Sequence, residues 1–280
     1  MRISLLALAA CGGAAPPASF SVASKAELVE VSSPYNEIRL ATSPDGTTRL
    51  WGSPDRPGGP GGWNIWMARR TGATWSEPTA VAFDSDANDF DPAYSPDGGF
   101  VYFFSNRPGG AGGDDLYRVA VTGETFGDVE HLGPEINTAG DEWAPTPTRD
   151  GLLFASNVPH AKHDLYFAAA KGKGFAQAAP LPGAINTPDH DEFDATFVGT
   201  AIVFSRSTDV ENDPIALQIS HRGAAGYDAG TPLPDSINVA GGYTLGPAVD
   251  LHDPRIFYFS GKRPEASAGK LDIYRVRLGE

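Results

Sequence analysis

The sequence predicts an all-β fold, a five-bladed β-propeller. A repeated turn phrase, a constant repeat spacing and a high content of turn-forming residues predict it. Ser43-Pro44-Asp45-Gly46 recurs as Ser95-Pro96-Asp97-Gly98 and, in weaker form, as Thr148-Arg149-Asp150-Gly151. Each copy precedes a hydrophobic–aromatic pair, and the aromatic members Trp66 and Tyr117 stand 51 residues apart. Short strands and tight turns that repeat about every fifty residues are typical of propellers.

The second predicted blade shows each element most clearly. Asp89–Tyr94 is its first strand, and the Ser-Pro-Asp-Gly turn follows, in which proline fixes φ and glycine accepts a positive φ. Phe100–Ser105 is an unbroken apolar run, as expected of a strand buried on both faces. Leu116–Thr122 is the third strand, and Phe126–Leu132 begins a more polar outer strand. The corresponding strands are Ile38–Thr42, Arg49–Gly52 and Ile65–Arg69 in blade one; Trp143–Thr146, Leu152–Ser156 and Asp164–Ala169 in blade three; Phe193–Phe197, Ala201–Ser205 and Ile215–Ser220 in blade four; and Leu245–Val249, Ile256–Ser260 and Asp272–Leu278 in blade five.

A second phrase separates the blades and predicts how the ring closes. Leu132-Gly133-Pro134-Glu135-Ile136-Asn137 recurs at 181–186 and at 233–238, but no copy follows blade five. The missing outer strand has a candidate at the other end of the chain, Glu27–Val31. An N-terminal strand that completes the last blade leaves no open sheet edge, so we expect this closure.

Composition limits the classes of partner. The chain has 280 residues, 41% of them apolar, with Gly 33 and Pro 24, and a formal net charge of −14. Nucleic acid is an unsuitable partner because its phosphates require Lys and Arg. The charge also disfavours adsorption to anionic lipid, and it is compatible with cations, basic proteins or neutral sugars. We expect a monomer.

The N-terminus predicts an envelope lipoprotein. Met1-Arg2 precedes a short apolar run, Ile3–Ala10, and Leu8-Ala9-Ala10-Cys11 resembles a bacterial lipobox, whose cysteine is lipid-modified. Cys11 is the single cysteine. The predicted division is a signal peptide at 1–11, a flexible tether at 12–25 and one propeller domain at 26–280. A plain secretory signal with an incidental cysteine is the alternative. Since Gly12 is not aspartate, we expect an outer-membrane anchor facing the periplasm.

The repeat resembles a known propeller family. Ser-Pro-Asp-Gly, an apolar strand, Ser-Asn-Arg-Pro-Gly-Gly and Asp-Leu-Tyr, most complete at 95–117 and continued by Leu132–Glu142, are similar to the PD40, or WD40-like, repeat of TolB-type propellers. The resemblance extends over about residues 27–280. It implies a propeller of the bacterial envelope that binds an envelope protein or a cell-wall saccharide.

Aligned first strands carry a repeated acidic position. It is occupied by Glu37, Asp89, Glu142 and Glu192, with Thr244 in the fifth copy. Two residues further on, and so on the same strand face in a regular strand, stand Arg39, Asp91, Ala144, Asp194 and Gly246. We therefore predict a ring of carboxylates at one mouth of the central channel. Such a ring attracts a cation, raises its own pKa values or binds a basic ligand.

Several roles remain open for this ring. As a ligand site it comprises Glu37, Arg39, Asp89, Asp91, Glu142, Glu192 and Asp194. As a metal site it presents oxygen ligands suited to Ca²⁺, from Glu37, Asp89, Glu142 and Glu192. The structural alternative is that the acidic residues accept backbone hydrogen bonds that join one blade to the next.

Catalysis is the second function considered. A five-bladed glycoside hydrolase uses two or three axial carboxylates, here Asp91, Glu142 and Glu192. Asp91-Pro92 and Trp143-Ala144-Pro145 resemble first-strand phrases of family-43 glycosidases. The sequence contains neither a Gly-x-Ser-x-Gly elbow nor a His-Glu-x-x-His motif. We predict a non-catalytic binding protein, with the hydrolase as the alternative.

Three further features have weaker patterns. His163 with Asp164, near His160, is a candidate metal site, and so is His190 beside Asp191 and Glu192. The Arg-Pro-Gly-Gly-x-Gly-Gly stretches at 56–62 and 107–113 are not phosphate loops, because neither is followed by Lys-Ser/Thr or a helix. We expect them to be hairpin loops on one rim, available for contact with a partner.

Overall fold

The computed structural model describes residues 20–263 and 267–279, and within them the chain forms strands and no α-helix. The strands are β1 (Glu27–Leu28), β2 (Ile38–Thr42), β3 (Thr48–Ser53), β4 (Asn64–Thr71), β5 (Thr74–Trp75), β6 (Thr79–Ala80), β7 (Asp89–Tyr94), β8 (Phe100–Ser105), β9 (Asp115–Thr122), β10 (Thr125–His131), β11 (Glu142–Pro147), β12 (Gly151–Ser156), β13 (Asp164–Lys171), β14 (Gly174–Phe175), β15 (Ala179–Pro180), β16 (Asp191–Val198), β17 (Ala201–Ser207), β18 (Ala216–Ser220), β19 (Arg222–Gly223), β20 (Gly226–Tyr227), β21 (Thr231–Pro232), β22 (Thr244–Val249), β23 (Ile256–Gly261) and β24 (Asp272–Arg277). No helix in these ranges is long and apolar enough to span a bilayer.

Five antiparallel sheets form the blades of a propeller, as the repeat predicts. Blade one is β2-β3-β4 with β5 and β6, blade two is β7-β8-β9-β10, and blade three is β11-β12-β13 with β14 and β15. Blade four is β16-β17-β18-β21, and β19 and β20 form a small hairpin beside it. Blade five is β22-β23-β24 and is completed by β1.

The N-terminal strand closes the ring, which confirms the predicted closure. Glu27 and Leu28 pair with Arg275 and Tyr274 of β24. Upstream of β1, Phe20 packs edge-on against Phe257 with ring centroids 5.1 Å apart. Residues 20–25 of the predicted tether therefore lie against blade five, whereas Cys11 and the predicted signal peptide lie outside the described residues.

The hydrophobic core lies between blades. Five clusters of buried side chains occupy the five junctions, and each contains residues of two successive blades. At the junction of blades five and one, for example, Trp51 and Trp66 pack with Tyr258. Because each sheet buries both faces in this way, the sequence of its second strand is a continuous run of mainly apolar residues.

Each repeated phrase corresponds to one local hydrogen-bonding motif. In the turn at 95–98, Ser95 Oγ donates to Asp97 at 2.7 Å and the Gly99 N–H donates to Asp97 at 3.0 Å. Between blades, the amides of Asn137, Asn186 and Asn238 accept the N–H and donate to the carbonyl of one third-strand leucine each: Leu116, Leu165 and Leu217. At the equivalent positions, Asp84 accepts the N–H of Ile65 in blade one and Ser32 accepts the N–H of Ile273 in blade five.

The loops of the propeller gather on two opposite faces. We call the face formed by the loops that lead into the first and third strands of the blades the loop face, and the face with the Ser-Pro-Asp-Gly turns the turn face. On the loop face, Gly113 N–H donates to the Gly140 carbonyl of the next blade at 2.9 Å. The glycine-rich loops are thus hairpin loops on one rim, as expected, and they join neighbouring blades.

Gly112 has no room for a side chain. A Cβ there would lie 2.1 Å from the carbonyl oxygen of Gly140 in the next blade. Gly112→Ala should therefore lower the free energy of unfolding by about 1–3 kcal/mol in urea titrations. Gly174→Ala is the matched control, because a Cβ there has no neighbour within 4 Å. Equal losses for both variants would contradict close packing between blades at Gly112.

Candidate functional site

The first strand of every blade contains the same backbone irregularity near the axis. Its pairing register shifts in each blade, as at a β-bulge. The residues in left-handed conformation there, with φ of 55°, 52°, 54°, 48° and 61°, are Arg39, Asp91, Ala144, Asp194 and Gly246. Backbone strain of this kind persists only where the surrounding structure holds it. Aligning the five repeats of this chain identified these positions, but it did not predict their left-handed backbone.

Arg39 crosses the axis of the propeller. Its guanidinium Nη1 lies 3.3 Å from Asp194 in blade four, and its Nη2 donates to the Pro145 carbonyl at 2.9 Å and to Thr146 Oγ1 at 2.7 Å in blade three. The side chains of Arg39 and Asp194 are only 3% and 5% exposed. One blade-one side chain therefore fills the centre of the ring.

Asp91 joins this axial cluster from blade two. Burial raises the pKa of Asp91 well above its usual value, and the neighbouring Asp194 raises it further against the opposing effect of Arg39. Burial also raises the pKa of Asp194, which Arg39 and the Gly246 N–H oppose. A proton retained by Asp91 and Asp194 is therefore favoured in this buried cluster, beside the guanidinium of Arg39. Asp91 Oδ1 has no hydrogen-bond partner among the described residues.

Apolar side chains cover this cluster on the side of the loop face. They belong to the residues directly before the left-handed position: Ile38, Phe90, Trp143, Phe193 and Leu245. Ile38 of blade one packs against the clusters between blades two and three and between blades three and four, so it reaches across the axis. Arg39, Asp91 and Asp194 are each at most 6% exposed. The axis is therefore closed by side chains.

The predicted ring of carboxylates does not line an open mouth. Glu37, Asp89, Glu142 and Glu192 are fully buried. Each accepts the backbone N–H and the hydroxyl of a Ser or Thr four or five residues earlier, at Ser33, Ser85, Thr138 and Thr187. The predicted ring assumed that each acid and the residue two positions later share one face of a regular strand. That assumption was wrong, because the bulge between them turns the later residue towards the axis and leaves the acid in its loop.

The same acidic residues join the blades through their backbone. Each one's N–H donates to the carbonyl of the residue just before the third strand of the preceding blade, at Leu271, Trp63, Asp114 and His163. Thr244 does the same with Ile215. The repeated acid therefore organises its own loop with its side chain and joins the preceding blade with its backbone N–H, whereas the structural alternative assigned the junction to the carboxylate.

No metal centre is apparent within 20–263 and 267–279, where no group of three or more His, Cys, Asp or Glu side chains is placed to hold an ion. The four carboxylates considered for Ca²⁺ belong to four different blades, and each already accepts hydrogen bonds from its own loop. They are not brought together.

The candidate histidine sites have other partners. His163 is buried, stacks on Trp143 at a centroid distance of 3.8 Å, and its Nδ1 lies 3.1 Å from Asp191. Although burial of Asp191 opposes ionisation, hydrogen bonds from His163 and Lys162 hold its pKa at about 2. His190 Nδ1 lies 3.1 Å from Thr187 Oγ1. The pairing of His163 is thus with Asp191 of the next blade rather than with Asp164.

The residues considered for glycoside hydrolysis are also separated. Asp91 takes part in the axial cluster, whereas Glu142 accepts from Thr138 and Ser156, and Glu192 accepts from Thr187 and Arg206. Glu142 and Glu192 are fully buried. A glycosidase requires two carboxyl groups that face the scissile bond of one substrate, and this arrangement does not present them.

Sequence reasoning missed the polarity of the two faces. On the loop face, the acidic residues that are at least partly exposed are Asp55, Asp84, Asp86, Asp114, Glu135, Asp141, Asp189, Asp209, Glu211, Asp213 and Asp235. Its described basic residues are fewer: Arg56, Arg107, Lys162, Arg206, Lys262, Arg263 and Lys270. On the turn face, Arg69, Arg70, Arg149, Lys171, Lys173, Arg222 and Arg255 balance Asp45, Asp97, Glu124, Asp150, Asp228 and Asp253. The excess negative charge therefore lies on the loop face.

Comparison with known proteins places the chain by fold. No protein-family model matches it, and no curated protein matches it. It is similar to a thermostable family-43 glycoside hydrolase (10% identity, 90% of this chain and 93% of that one, TM-score 0.56) and to an alpha-L-arabinofuranosidase from Lactobacillus brevis (11% identity, 89% and 92%, TM-score 0.56). It is also similar to TolB from Acinetobacter baumannii (12% identity, TM-score 0.48), and that match covers 88% of this chain but only 56% of the TolB chain. At such identities, the likeness shows a propeller fold.

The two axial aspartates should differ in their effect on stability. Asp194→Asn removes the carboxylate that forms an ion pair with buried Arg39, and should lower the free energy of unfolding by about 3–5 kcal/mol. Asp91→Asn keeps a hydrogen-bond donor towards Asp194 and should cost less than about 1.5 kcal/mol. Asparagine tolerates the left-handed backbone at both positions. Chemical denaturation measures both values, and a similar cost would show that Asp91 is ionised in the folded protein.

Glu37 should make stability depend on pH. Burial raises the pKa of Glu37 to about 7, and Asp272 adds to this against hydrogen bonds from Ser33 and the charge of Arg56. Because the unfolded glutamate releases its proton near pH 4.5, the folded state loses relative stability as pH rises from about 4.5 to 7. Glu37→Gln should lessen this loss in melting temperatures measured from pH 5 to 8. Exposed Glu135→Gln is the control, and unchanged pH dependence in both would refute the effect.

Proposed function

We propose that this protein is a non-catalytic recognition propeller that binds a macromolecular partner of the bacterial envelope through its loop face. The single observation that carries the proposal is the closed axis. Arg39, Asp91 and Asp194 are buried there, Arg39 pairs with Asp194, and Ile38 reaches across the axis. These side chains are almost inaccessible to solvent, so we assign binding to the broad rim.

The location and state of the protein are part of the proposal. Leu8-Ala9-Ala10-Cys11 supports lipid attachment at Cys11 and an outer-membrane anchor facing the periplasm. The resemblance of the repeat to TolB-type propellers supports an envelope setting. We propose a lipid-anchored monomer whose partner is an envelope protein or cell-wall polymer, and no cofactor is needed for this role.

Site-specific photo-crosslinking in cells tests which face meets the partner. A photoreactive amino acid replaces Ala111 on the loop face or Ala73 on the turn face, both exposed alanines in loops. We expect a discrete, reproducible adduct from position 111 and none from position 73. Equal labelling from both positions, or none from 111 and from further loop-face sites, would overturn the proposed recognition surface.

A hydrolase remains the competing function, since fold neighbours include proteins described as a family-43 glycoside hydrolase and an arabinofuranosidase. We expect no turnover of aryl glycosides or arabinan by the purified protein, because Glu142 and Glu192 are fully buried. Asp91→Asn is the matched variant for this assay. Turnover in the wild type that Asp91→Asn abolishes would replace the recognition proposal with a catalytic one.

A further inference from the structure

Two aromatic side chains are exposed on the acidic loop face. Trp63 is 42% exposed and Tyr243 is 38% exposed, and no other large hydrophobic side chain is exposed among the described residues. Trp63 stands just before the third strand of blade one, and Tyr243 just before the first strand of blade five. Exposed aromatic residues on an otherwise polar face are characteristic of binding surfaces.

Trp63 contacts the next blade through its backbone and its ring. Its backbone N–H donates to Asn88 Oδ1 at 3.0 Å, and its ring lies against Phe90 with centroids 5.0 Å apart. The preceding loop packs so closely on the next blade that a Cβ on Gly61 would lie 2.4 Å from the backbone of Asp86. The loop that carries Trp63 therefore packs on the segment that carries exposed Asp86.

Tyr243 has a comparable acidic neighbour. Its backbone forms a parallel bridge with Ile215, which ends the loop that contains Asp209, Glu211 and Asp213. Hydrogen bonds from the Asn212 side chain and the Glu211 N–H hold the pKa of Asp209 below its usual value, so that group is ionised at neutral pH. The backbone of each exposed aromatic residue thus lies close to a segment that carries exposed acidic residues.

Four basic side chains of the loop face pair with other acids. Arg56 pairs with Glu37, Arg107 with Asp89, Lys162 with Asp191, and Lys270 with Asp55. Among the described residues, the exposed or partly exposed Asp86, Asp209, Glu211 and Asp213 form no ion pair, whereas burial raises the pKa of Asp84 to about 8 and favours its neutral form at neutral pH. Lys262 and Arg263 follow β23 beside Tyr243, but acidic residues outnumber basic ones over the loop face as a whole, and the complement of that excess is a cation.

We infer that the loop face binds a basic polypeptide segment whose Arg or Lys side chains lie on Trp63 and Tyr243 between the flanking carboxylates. A cation over an indole or phenol face, with carboxylates beside it, gains both cation–π and ion-pair energy. The two rings belong to different blade junctions, and the axis between them is closed, so the surface is broad rather than a pocket. Broad surfaces with aromatic anchors suit a polypeptide, whereas a saccharide prefers a concave site. The inference rests on the proposed recognition function and names its partner's chemistry.

Peptide binding tests this inference directly. The probe is a synthetic peptide of alternating arginine and serine, with a glutamate–serine peptide of equal length as its charge-reversed counterpart, and binding to the whole protein is measured by fluorescence anisotropy. We expect only the basic peptide to bind, with weaker binding at higher salt. Trp63→Ala should weaken it about 5- to 30-fold, and Asp86→Asn about 2- to 5-fold.

A turn-face variant controls for general charge. Asp97→Asn removes an exposed carboxylate from the other face and should leave the peptide affinity within twofold of the wild type. Equal weakening by Asp97→Asn, or no effect of Trp63→Ala and Tyr243→Ala together, would refute the site. Tighter binding of a chitosan oligomer than of the peptide would assign the face to a cationic saccharide instead. If loop-face crosslinking succeeds while the basic peptide does not bind, recognition stands and the partner chemistry proposed here is wrong.

Discussion

Packing between neighbouring sheets is the constraint on which the rest of this structure depends. No blade buries its own two faces, and every cluster of the core is shared by two blades. A sheet at an open end would expose a complete apolar face, so the ring is stable only when it is closed. Pairing of β1 with β24 supplies that closure, and it joins the two ends of the described chain in one sheet. The repeated loop hydrogen bonds and the glycine contacts all serve the same junctions.

Closure brings five first strands to one axis, and the axis then has to be filled. Five left-handed residues stand there, and three of them have ionisable side chains: Arg39, Asp91 and Asp194. Burial of charged groups is costly unless they are paired, and here Arg39 pairs with Asp194 while burial favours the protonated form of Asp91. The axial side chains are almost inaccessible to solvent, so the loops of the rim form the accessible surface.

The loop face and the turn face differ because different repeated phrases build them. On the turn face, the aspartate of the Ser-Pro-Asp-Gly phrase accepts hydrogen bonds within its own turn, as Asp97 does from Ser95 and Gly99. Acidic and basic residues are nearly equal in number on that face. In the loops of the loop face, glycines and asparagines form contacts between blades, and carboxylates lie at the surface. Trp63 and Tyr243 are the large hydrophobic side chains exposed among the described residues, and exposed aromatic side chains on a polar face support a binding role.

The sequence by itself determined the blade number, the strand order, the closure by an N-terminal strand within Glu27–Val31 and the repeated first-strand positions, because those follow from a repeat of fixed length and from apolar runs that bury two faces. Only the tertiary structure decided where the acidic residues point, since a bulge of left-handed backbone at Arg39 and its equivalents breaks the alternation on which the predicted ring relied. It also decided that Arg39 meets Asp194, residues 155 positions apart in the chain, and that negative charge gathers on one face. Contacts between distant blades and the exposure of a side chain depend on the closed ring, and no local pattern encodes them.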